Sequence, residues 1–199
     1  MMRVHSTSLS PDKALVNEQP APLTRAEFAA FYRNNADFVW RSLRRLCVRE
    51  EALDDALQEV FIVAHRRFHE LRPGSTQRAW LFAVAQRVAS GHRRWVRRKG
   101  HALPLQEELV ASAQSPLEGA MRKQASDLVQ EFLLELDEPR RAAFVAAELE
   151  QMTGAEAHAA LGVNQNTLYY RLSSARKAFV AFLETRGVVE PAQASQEEP

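Results

Sequence analysis

The sequence has little cysteine and no long apolar run, and both shortages limit what the protein can be. With one cysteine, Cys47, in 199 residues, neither an internal disulfide framework nor a cysteine-based zinc cluster can form. No apolar run reaches the ~18 residues that a membrane-spanning helix needs. The polar segment 1–22 lacks the apolar stretch of a signal peptide. These features predict a cytoplasmic protein without a membrane span.

The sequence also lacks a net charge, because 26 basic and 25 acidic residues leave only +1. The balance is not uniform along the chain. Residues 24–101 contain 16 basic and 8 acidic residues, whereas residues 102–199 contain 8 basic and 15 acidic residues. The two parts therefore carry +8 and −7. A chance drift of surface charge is the alternative, but a partition of this size favours two modules that face different partners.

Period-two alternation is missing as well, so the sequence predicts no strands and an all-α fold. Apolar residues recur at helical spacing in two blocks separated by a stretch with Gly100, Pro104, Pro116 and Gly119. We therefore predict two small helical domains joined by a flexible linker. The predicted divisions are a flexible arm at 1–23, a first domain at 24–99, a linker at 100–121, a second domain at 122–186 and a flexible tail at 187–199.

Several helix ends can be predicted from local chemistry. Thr24 with Glu27, and Thr153 with Glu156, have the spacing of capping boxes. Gly162 suits a left-handed helix end, and Asn164 suits the cap of a final helix that runs to about Arg186. Within the first domain, the pattern predicts a second helix that ends before Pro73-Gly74-Ser75 and a third from about Gln77 to Lys99. In the second domain, helical pattern resumes at about Met121.

The segment 153–177 has the pattern of a helix-turn-helix, in which the second helix enters the DNA major groove by its N-terminal end. Residues 163–177 contain no acidic residue, although the surrounding module is acidic. An ordinary helical hairpin with polar caps is the alternative. Amide and guanidinium groups can address base edges, and hydroxyl and ammonium groups suit phosphates. The candidate DNA-binding residues are Asn164, Gln165, Asn166, Thr167, Tyr170, Arg171, Ser174, Arg176 and Lys177.

The segment 78–99 is basic, with interleaved aromatic residues and no acidic residue. Cations neutralise phosphates, and exposed rings stack on unpaired bases. A solvated helix end is the alternative, and Trp80 fits the apolar stripe better than a stacking role. Trp95 lies beyond that stripe, so we favour a contact role for it. The candidate nucleic-acid contacts here are Arg78, Arg87, Arg93, Arg94, Trp95, Arg97, Arg98 and Lys99.

The few acids of the basic module concentrate on one helix face, opposite its predicted buried side. Solvation alone would be the usual interpretation of such a face. Its position within so basic a module instead favours a protein partner separate from the nucleic-acid side. The candidate residues on this face are Asp54, Asp55, Gln58, Glu59 and Ile62.

The sequence offers no signal for catalysis, a cofactor or a small-molecule substrate. It has neither a glycine-rich phosphate loop nor a nucleophile elbow. His65 and His69 are four residues apart, but no third metal ligand is evident, so exposed histidines are the better interpretation. Cys47 is interpreted as a small buried hydrophobic residue. We therefore predict a protein that is not an enzyme.

Two motifs resemble a known family. The stretch from Asp55 to Phe61, Asp-Ala-Leu-Gln-Glu-Val-Phe, resembles the Asp-Leu-Val-Gln-Glu-Val-Phe hallmark of region two in bacterial sigma factors, and Arg78 to Ala85 resembles the segment that follows it. Leu136 to Arg140 resembles the start of region four, and the spacing of Ala160 to Val163 with Thr167, Arg171-Leu172 and Ala175-Arg176 is similar to its helix-turn-helix. With only these two regions, the chain resembles an extracytoplasmic-function (ECF) sigma factor.

This resemblance implies a specific function. Such a protein binds core RNA polymerase, recognises the −35 and −10 promoter elements and helps to open the DNA. It implies that the face with Asp55, Gln58 and Glu59 grips the polymerase clamp. The other side of that module would bind the −10 element and hold a flipped non-template base, and the helix from Asn164 would read the −35 element. An anti-sigma partner is implied by family analogy. The alternative is a stand-alone helix-turn-helix regulator with an N-terminal protein-interaction domain.

Overall fold

The structure, a computed structural model, describes residues 24–68, 76–98 and 116–189, with side chains in the last range from residue 121. These residues form α-helices and contain no strand, which confirms the predicted all-α class. A short 3₁₀ turn, Glu50–Ala52, precedes the second helix, and a π turn, Val145–Leu149, follows the fifth. The helices are α1 Arg25–Arg45, α2 Leu53–Arg67, α3 Gln77–Arg98, α4 Pro116–Glu135, α5 Glu138–Phe144, α6 Gly154–Leu161 and α7 Gln165–Thr185.

The predicted helix caps are confirmed. The Thr24 side chain accepts from the Glu27 backbone N–H while the Glu27 carboxylate accepts from the Thr24 N–H. Thr153 and Glu156 make the same reciprocal pair at the start of α6. Each box satisfies backbone donors that the first turn of a helix leaves unpaired. These caps fix where α1 and α6 begin.

The first domain packs three helices around an apolar interior. Val39 and Leu43 of α1, Val60 of α2, and Leu81 and Phe82 of α3 are almost fully buried. At the end of α1, Cys47 has a φ of 58° and the Val48 N–H donates to the Leu43 carbonyl, which closes the helix in the left-handed manner. This packing holds α2 and α3 side by side, so their outer faces are presented together.

The second domain has its own aromatic centre. The ring of Phe132 on α4 lies 5.2 Å from Phe144, 4.8 Å from Phe179 and 5.4 Å from Phe182, measured between ring centroids. These contacts join α4, α5 and α7. The shorter α6 packs against α7 through small residues, and its Ala157 is fully buried. The core therefore fixes the orientation of α6 and α7.

The start of one helix differs from the sequence-based expectation. Helix α4 begins at Pro116, five residues before the predicted start at Met121 and inside the predicted linker. Proline suits the first turn of a helix, where its missing N–H costs no hydrogen bond. The two domains are in contact, since their buried residues form one continuous cluster and α3 packs against α6. The predicted arm 1–23, most of the linker, Lys99, His69 and Pro73–Ser75 lie outside the described residues.

Candidate functional site

Helix α7 presents a polar face at its N-terminal end. The Asn164 side chain caps the helix by accepting from the Thr167 N–H at 2.7 Å, and Gly162 makes the preceding turn with a φ of 63°. Leu168, Ala175 and Phe182 are buried along one side of the helix. The opposite side exposes Gln165, Asn166, Tyr169, Tyr170, Arg176 and Lys177. Such an exposed N-terminal face matches the geometry with which a recognition helix enters the major groove.

Tyr169 is a candidate contact that the sequence analysis missed. Its side chain is 71% exposed, as is 70% of the neighbouring Tyr170. The signal was available, since Tyr169 follows Gln165 by four residues and therefore shares its helix face. By contrast, Arg171 and Ser174 are only partly exposed, and Thr167 donates its N–H to the cap. The exposed face therefore includes Tyr169 together with Gln165, Asn166 and Tyr170.

Arg176 is engaged within the second domain. Its guanidinium lies 2.6 Å from a carboxylate oxygen of Glu148, in the π turn. Both side chains are partly exposed, so the ion pair adds little stability and is open to exchange for a phosphate. Lys177 beside it is exposed. The pair orients Arg176 at the edge of the α7 face.

The C-terminal half of α3 carries an exposed basic surface. Arg87, Arg94 and Arg98 lie on one side of the helix because they are separated by seven and four residues, and all three are exposed. Trp95 is 49% exposed and borders this side, and Arg97 is exposed across from it. Cations beside an exposed ring can hold a nucleic-acid backbone and stack on a base. We call Arg87, Arg94, Trp95, Arg97 and Arg98 the basic surface.

Two other members of the predicted basic set are placed differently. Arg93 is buried, donates to the Leu46 carbonyl and lies 2.9 Å from a Glu138 carboxylate oxygen. Burial lowers the pKa of the Arg93 guanidinium, although the Glu138 charge opposes that shift. Arg78 lies over the Phe38 ring at 4.6 Å and 3.7 Å from Glu150. Both guanidinium groups point towards carboxylates of the second domain.

Helix α2 brings its predicted acidic residues to one exposed face. Asp54, Asp55, Gln58 and Glu59 are exposed, and Ile62 is 51% exposed at the end of the same face. Ala56, Val60 and Ala64 lie fully buried on the other side. A concentrated negative charge of this kind can steer and orient a partner that carries positive charge. We call Asp54, Asp55, Gln58, Glu59 and Ile62 the acidic face.

The acidic face and the basic surface meet along a cavity of about 490 Å³. Asp55 lines it from α2, and His92 and Trp95 line it from α3. His92 Nε2 lies 3.1 Å from a Glu59 carboxylate oxygen, which ties the two helices together at this edge. Cys47 lies on the inner wall, where burial raises the pKa of its thiol and keeps it protonated. A protein bound to the acidic face on α2 and a nucleic-acid strand bound to the basic surface on α3 would thus lie next to each other.

We also searched the described residues for metal ligands and for membrane-spanning helices. Within them, no group of three His, Cys, Asp or Glu side chains could hold a metal ion, and His65 packs edge-on against the Phe28 ring at 4.7 Å. No helix in this part of the chain is both long and apolar enough to cross a membrane. The candidate functional sites are therefore three surfaces: the acidic face, the basic surface and the N-terminal end of α7.

Comparison with known proteins finds a matching family model for each half of the chain. The family model for Sigma-70 region 2 matches residues 31–99, and that for Sigma-70, region 4 matches residues 126–179. The ECF RNA polymerase sigma factor SigM of Mycobacterium tuberculosis is 28% identical over 161 residues, which cover 80% of this chain and 78% of that protein.

Two solved structures share the fold. CnrH, solved in complex with the cytosolic domain of CnrY, is 22% identical, covers 81% of this chain and 90% of its own, and has a TM-score of 0.60. The sigma factor RpoE from Bartonella quintana, solved with the anti-sigma factor NepR, is 18% identical, covers 79% of this chain and 96% of its own, and has a TM-score of 0.64.

Proposed function

Since this chain belongs to the bacterial sigma-70 family and is a sigma factor of the ECF type, we propose that its three exposed surfaces divide the work of promoter recognition. It is an alternative initiation factor that binds core RNA polymerase, recognises the −35 and −10 elements and promotes DNA opening. The observation that carries this function is the presence of region 2 followed by region 4 on one helical chain. A stand-alone helix-turn-helix regulator does not require the region 2 module.

The acidic face is our proposed contact with core polymerase. Asp54, Asp55, Gln58 and Glu59 present charge and amide groups for basic partners, and Ile62 adds an apolar contact at one end of the face. Charge complementarity of this kind steers association and fixes the register of the complex. The proposed polymerase contact on α2 lies beside the basic surface but on a different helix, so the polymerase and the DNA would bind as neighbours.

The basic surface is our proposed contact with the −10 element. Opening a promoter requires capture of unpaired bases, and extruding a base from a duplex costs a few kcal/mol. Trp95 offers a stacking ring, and Arg87, Arg94, Arg97 and Arg98 offer phosphate contacts around it. Arg78, Arg93 and Lys99 complete the proposed set, although Arg78 and Arg93 face the second domain here.

Helix α7 is our proposed reader of the −35 element. Gln165, Asn166 and Arg171 can address base edges, and Lys177 suits a phosphate. The rest of the proposed −35 set consists of Asn164, Thr167, Tyr170, Ser174 and Arg176. We add Tyr169 because its side chain is exposed.

Two further proposals concern the regulatory partner of the chain and its location in the cell. The relatives of known structure were solved with the cytosolic domain of CnrY and with the anti-sigma factor NepR. By analogy with these two complexes, an anti-sigma factor binds this chain and restrains it. Because core polymerase acts on chromosomal DNA, the chain works in the cytoplasm. Its family consists of initiation factors without catalytic activity, so we expect no enzymatic role.

The −35 assignment predicts a base-specific defect. In holoenzyme, Arg171→Ala is expected to weaken binding to a selected −35 duplex by about 1–3 kcal/mol, since one base contact is lost. Competition binding against duplexes substituted at single positions measures the effect. Arg186→Ala is the matched control, because Arg186 lies at the other end of α7 and pairs with Glu131. An equal loss in both variants, without a change in base preference, contradicts the assignment.

The −10 assignment predicts a change in salt dependence. Replacing Arg94, Arg97 and Arg98 by Gln is expected to reduce the slope of log affinity against log salt by about 0.7 for each single-strand phosphate contact that is lost. Titration of a holoenzyme with single-stranded DNA at several salt concentrations gives this slope. The control replaces Arg25, Arg33 and Arg41, which are exposed on α1, and removes the same charge. The −10 assignment fails if both triple variants keep the wild-type slope.

A further inference from the structure

Two neighbouring tyrosine rings lie in water near the N-terminal end of α7. The side chains of Tyr169 and Tyr170 are 71% and 70% exposed. Within the described part of the chain, neither hydroxyl makes a hydrogen bond, and neither ring contacts another ring or a cation. Adjacent large side chains that leave apolar surface in water are typical of a contact surface. The two rings are therefore available to a ligand of this helix.

Each ring has an amide side chain as its neighbour on the helix. Gln165 lies four residues before Tyr169, and residues at this spacing share a face of α7. Asn166 is placed in the same way before Tyr170. All four side chains are exposed within the first two turns of the helix, while Leu168 on the other side is buried. We call Gln165, Asn166, Tyr169 and Tyr170 the amide–ring patch.

The amide–ring patch carries no charge. Residues 163–170 contain no lysine, arginine, aspartate or glutamate. Later in the helix, Arg171 is only partly exposed and Arg176 lies 2.6 Å from a carboxylate oxygen of Glu148. Guanidinium and ammonium groups are the side-chain groups that most often recognise guanine in the major groove. The first two turns of α7 therefore lack the usual means of reading a G·C pair.

The chemistry of the amide–ring patch suits A·T pairs instead. The side-chain amide of asparagine or glutamine makes two hydrogen bonds with N6 and N7 of adenine, and an apolar side chain contacts the C5-methyl group of thymine. An amide and a ring four residues apart are separated by about 6 Å along the helix. Base pairs stack at about 3.4 Å, so both groups reach the same or neighbouring base pairs.

We propose that the amide–ring patch reads A·T pairs of the −35 element, and that Tyr169 recognises thymine through its C5-methyl group. This inference rests on the proposed function, because it names the bases that α7 reads there. The methyl group packs against the ring and is removed from water, so the contact depends on the base and not on the phosphates. Tyr169 is thus a specificity-determining residue, whereas a phosphate contact such as Lys177 adds affinity for any sequence.

The test removes the thymine methyl group alone. Uracil pairs with adenine as thymine does but lacks the C5-methyl group. Holoenzyme first selects −35 duplexes from a randomised pool, and each thymine of the selected element is then replaced singly by uracil. For the wild type we expect selected A·T pairs and about fourfold weaker binding for uracil at the position that Tyr169 contacts, which is the factor for one buried methyl-sized group. Competition against the parent duplex measures this ratio.

Variants of Tyr169 identify the group that makes the contact. Tyr169→Ala is expected to bind the thymine and uracil duplexes equally, because no ring remains to pack on the methyl group. Tyr169→Phe keeps the ring and should keep the fourfold difference. The matched control is Val180→Ala, which trims another exposed apolar side chain of α7 outside the −35 set and should also keep it. Circular dichroism verifies that each variant is folded.

The outcomes separate this inference from the proposed function. Loss of the uracil effect in Tyr169→Ala alone supports the thymine contact. Equal binding of thymine and uracil duplexes by the wild type, or the same fourfold ratio in Tyr169→Ala, overturns it, and promoter-dependent transcription would still uphold the proposed function. Wild-type affinity of Tyr169→Ala for every duplex also overturns it and assigns the ring to a protein partner. If the wild type selects no −35 sequence, the −35 assignment fails as well.

Discussion

Reversing the charges of Asp55 and Glu59 to lysine is expected to weaken binding to core polymerase by about 100-fold or more. Both carboxylates are exposed on α2 next to the apolar Ile62, so a complementary partner loses two attractive contacts and meets two repulsive ones. Removing one partner of a buried, hydrogen-bonded charge pair at an interface costs about 2–5 kcal/mol, and placing like charges opposite each other costs several kcal/mol. Two reversals together reach that range even if each contact is only partly buried. Biolayer interferometry with immobilised core polymerase measures the loss.

The fold should tolerate this double reversal. Asp55 and Glu59 point away from the buried side of α2, and the pair between Glu59 and His92 lies at the surface, where such pairs contribute at most about 1 kcal/mol. The control reverses Asp37 and Glu184, which lie outside the acidic face. Unchanged core affinity in the Asp55 and Glu59 variant, with the helical circular dichroism preserved, would show that the polymerase binds elsewhere.

Replacing Phe132 by alanine is expected to destabilise the second domain by about 3–5 kcal/mol. Phe132 is 1% exposed, and its ring contacts three other phenylalanine rings that belong to α5 and α7. Truncation removes those contacts and leaves a cavity between three helices. Because α7 is held by the same core, −35 binding should be lost together with stability. Urea unfolding followed by circular dichroism gives the change in free energy.

A surface change on the same helix calibrates this prediction. Met121 is 64% exposed on α4, so Met121→Ala should alter the free energy of unfolding by no more than about 0.5 kcal/mol. A loss below about 1 kcal/mol in Phe132→Ala would contradict the aromatic centre that the structure shows. A two-step unfolding curve would in addition reveal that the two domains unfold separately.

Local chemistry made much of the fold predictable. The pairs Thr24 with Glu27 and Thr153 with Glu156, the turn at Gly162 and the cap at Asn164 all act within a few residues, and each is found in the structure. The recurrence of apolar residues at helical spacing likewise predicted the all-α class, which the described residues confirm. The start of α4 was wrong by five residues because the segment before Met121 has no apolar period to mark a helix, and the π turn leaves no sequence pattern.

The contact between the domains could not be predicted in the same way. Glu150 and Ser42 are 108 positions apart, and no local sequence pattern specifies which carboxylate meets which hydroxyl. The burial of Arg93 is different, since it follows Ala89 by four residues and precedes Val96 by three, and both of those are buried. Helical spacing thus placed Arg93 on the inner side, but its charge led to an interpretation as a surface contact. The sequence shows that the two parts of the chain carry opposite charge, but it does not show that these charges pair between the two domains.

Promoter-dependent transcription with purified components tests the central claim most directly. The chain is mixed with core RNA polymerase and a linear template that carries a cognate promoter, and run-off transcripts are measured with and without the chain. The account predicts a transcript of defined length that requires the chain and disappears with the Asp55 and Glu59 reversal. The contradicting result is no association with core polymerase and no promoter-dependent transcript, together with tight binding of the chain alone to duplex DNA.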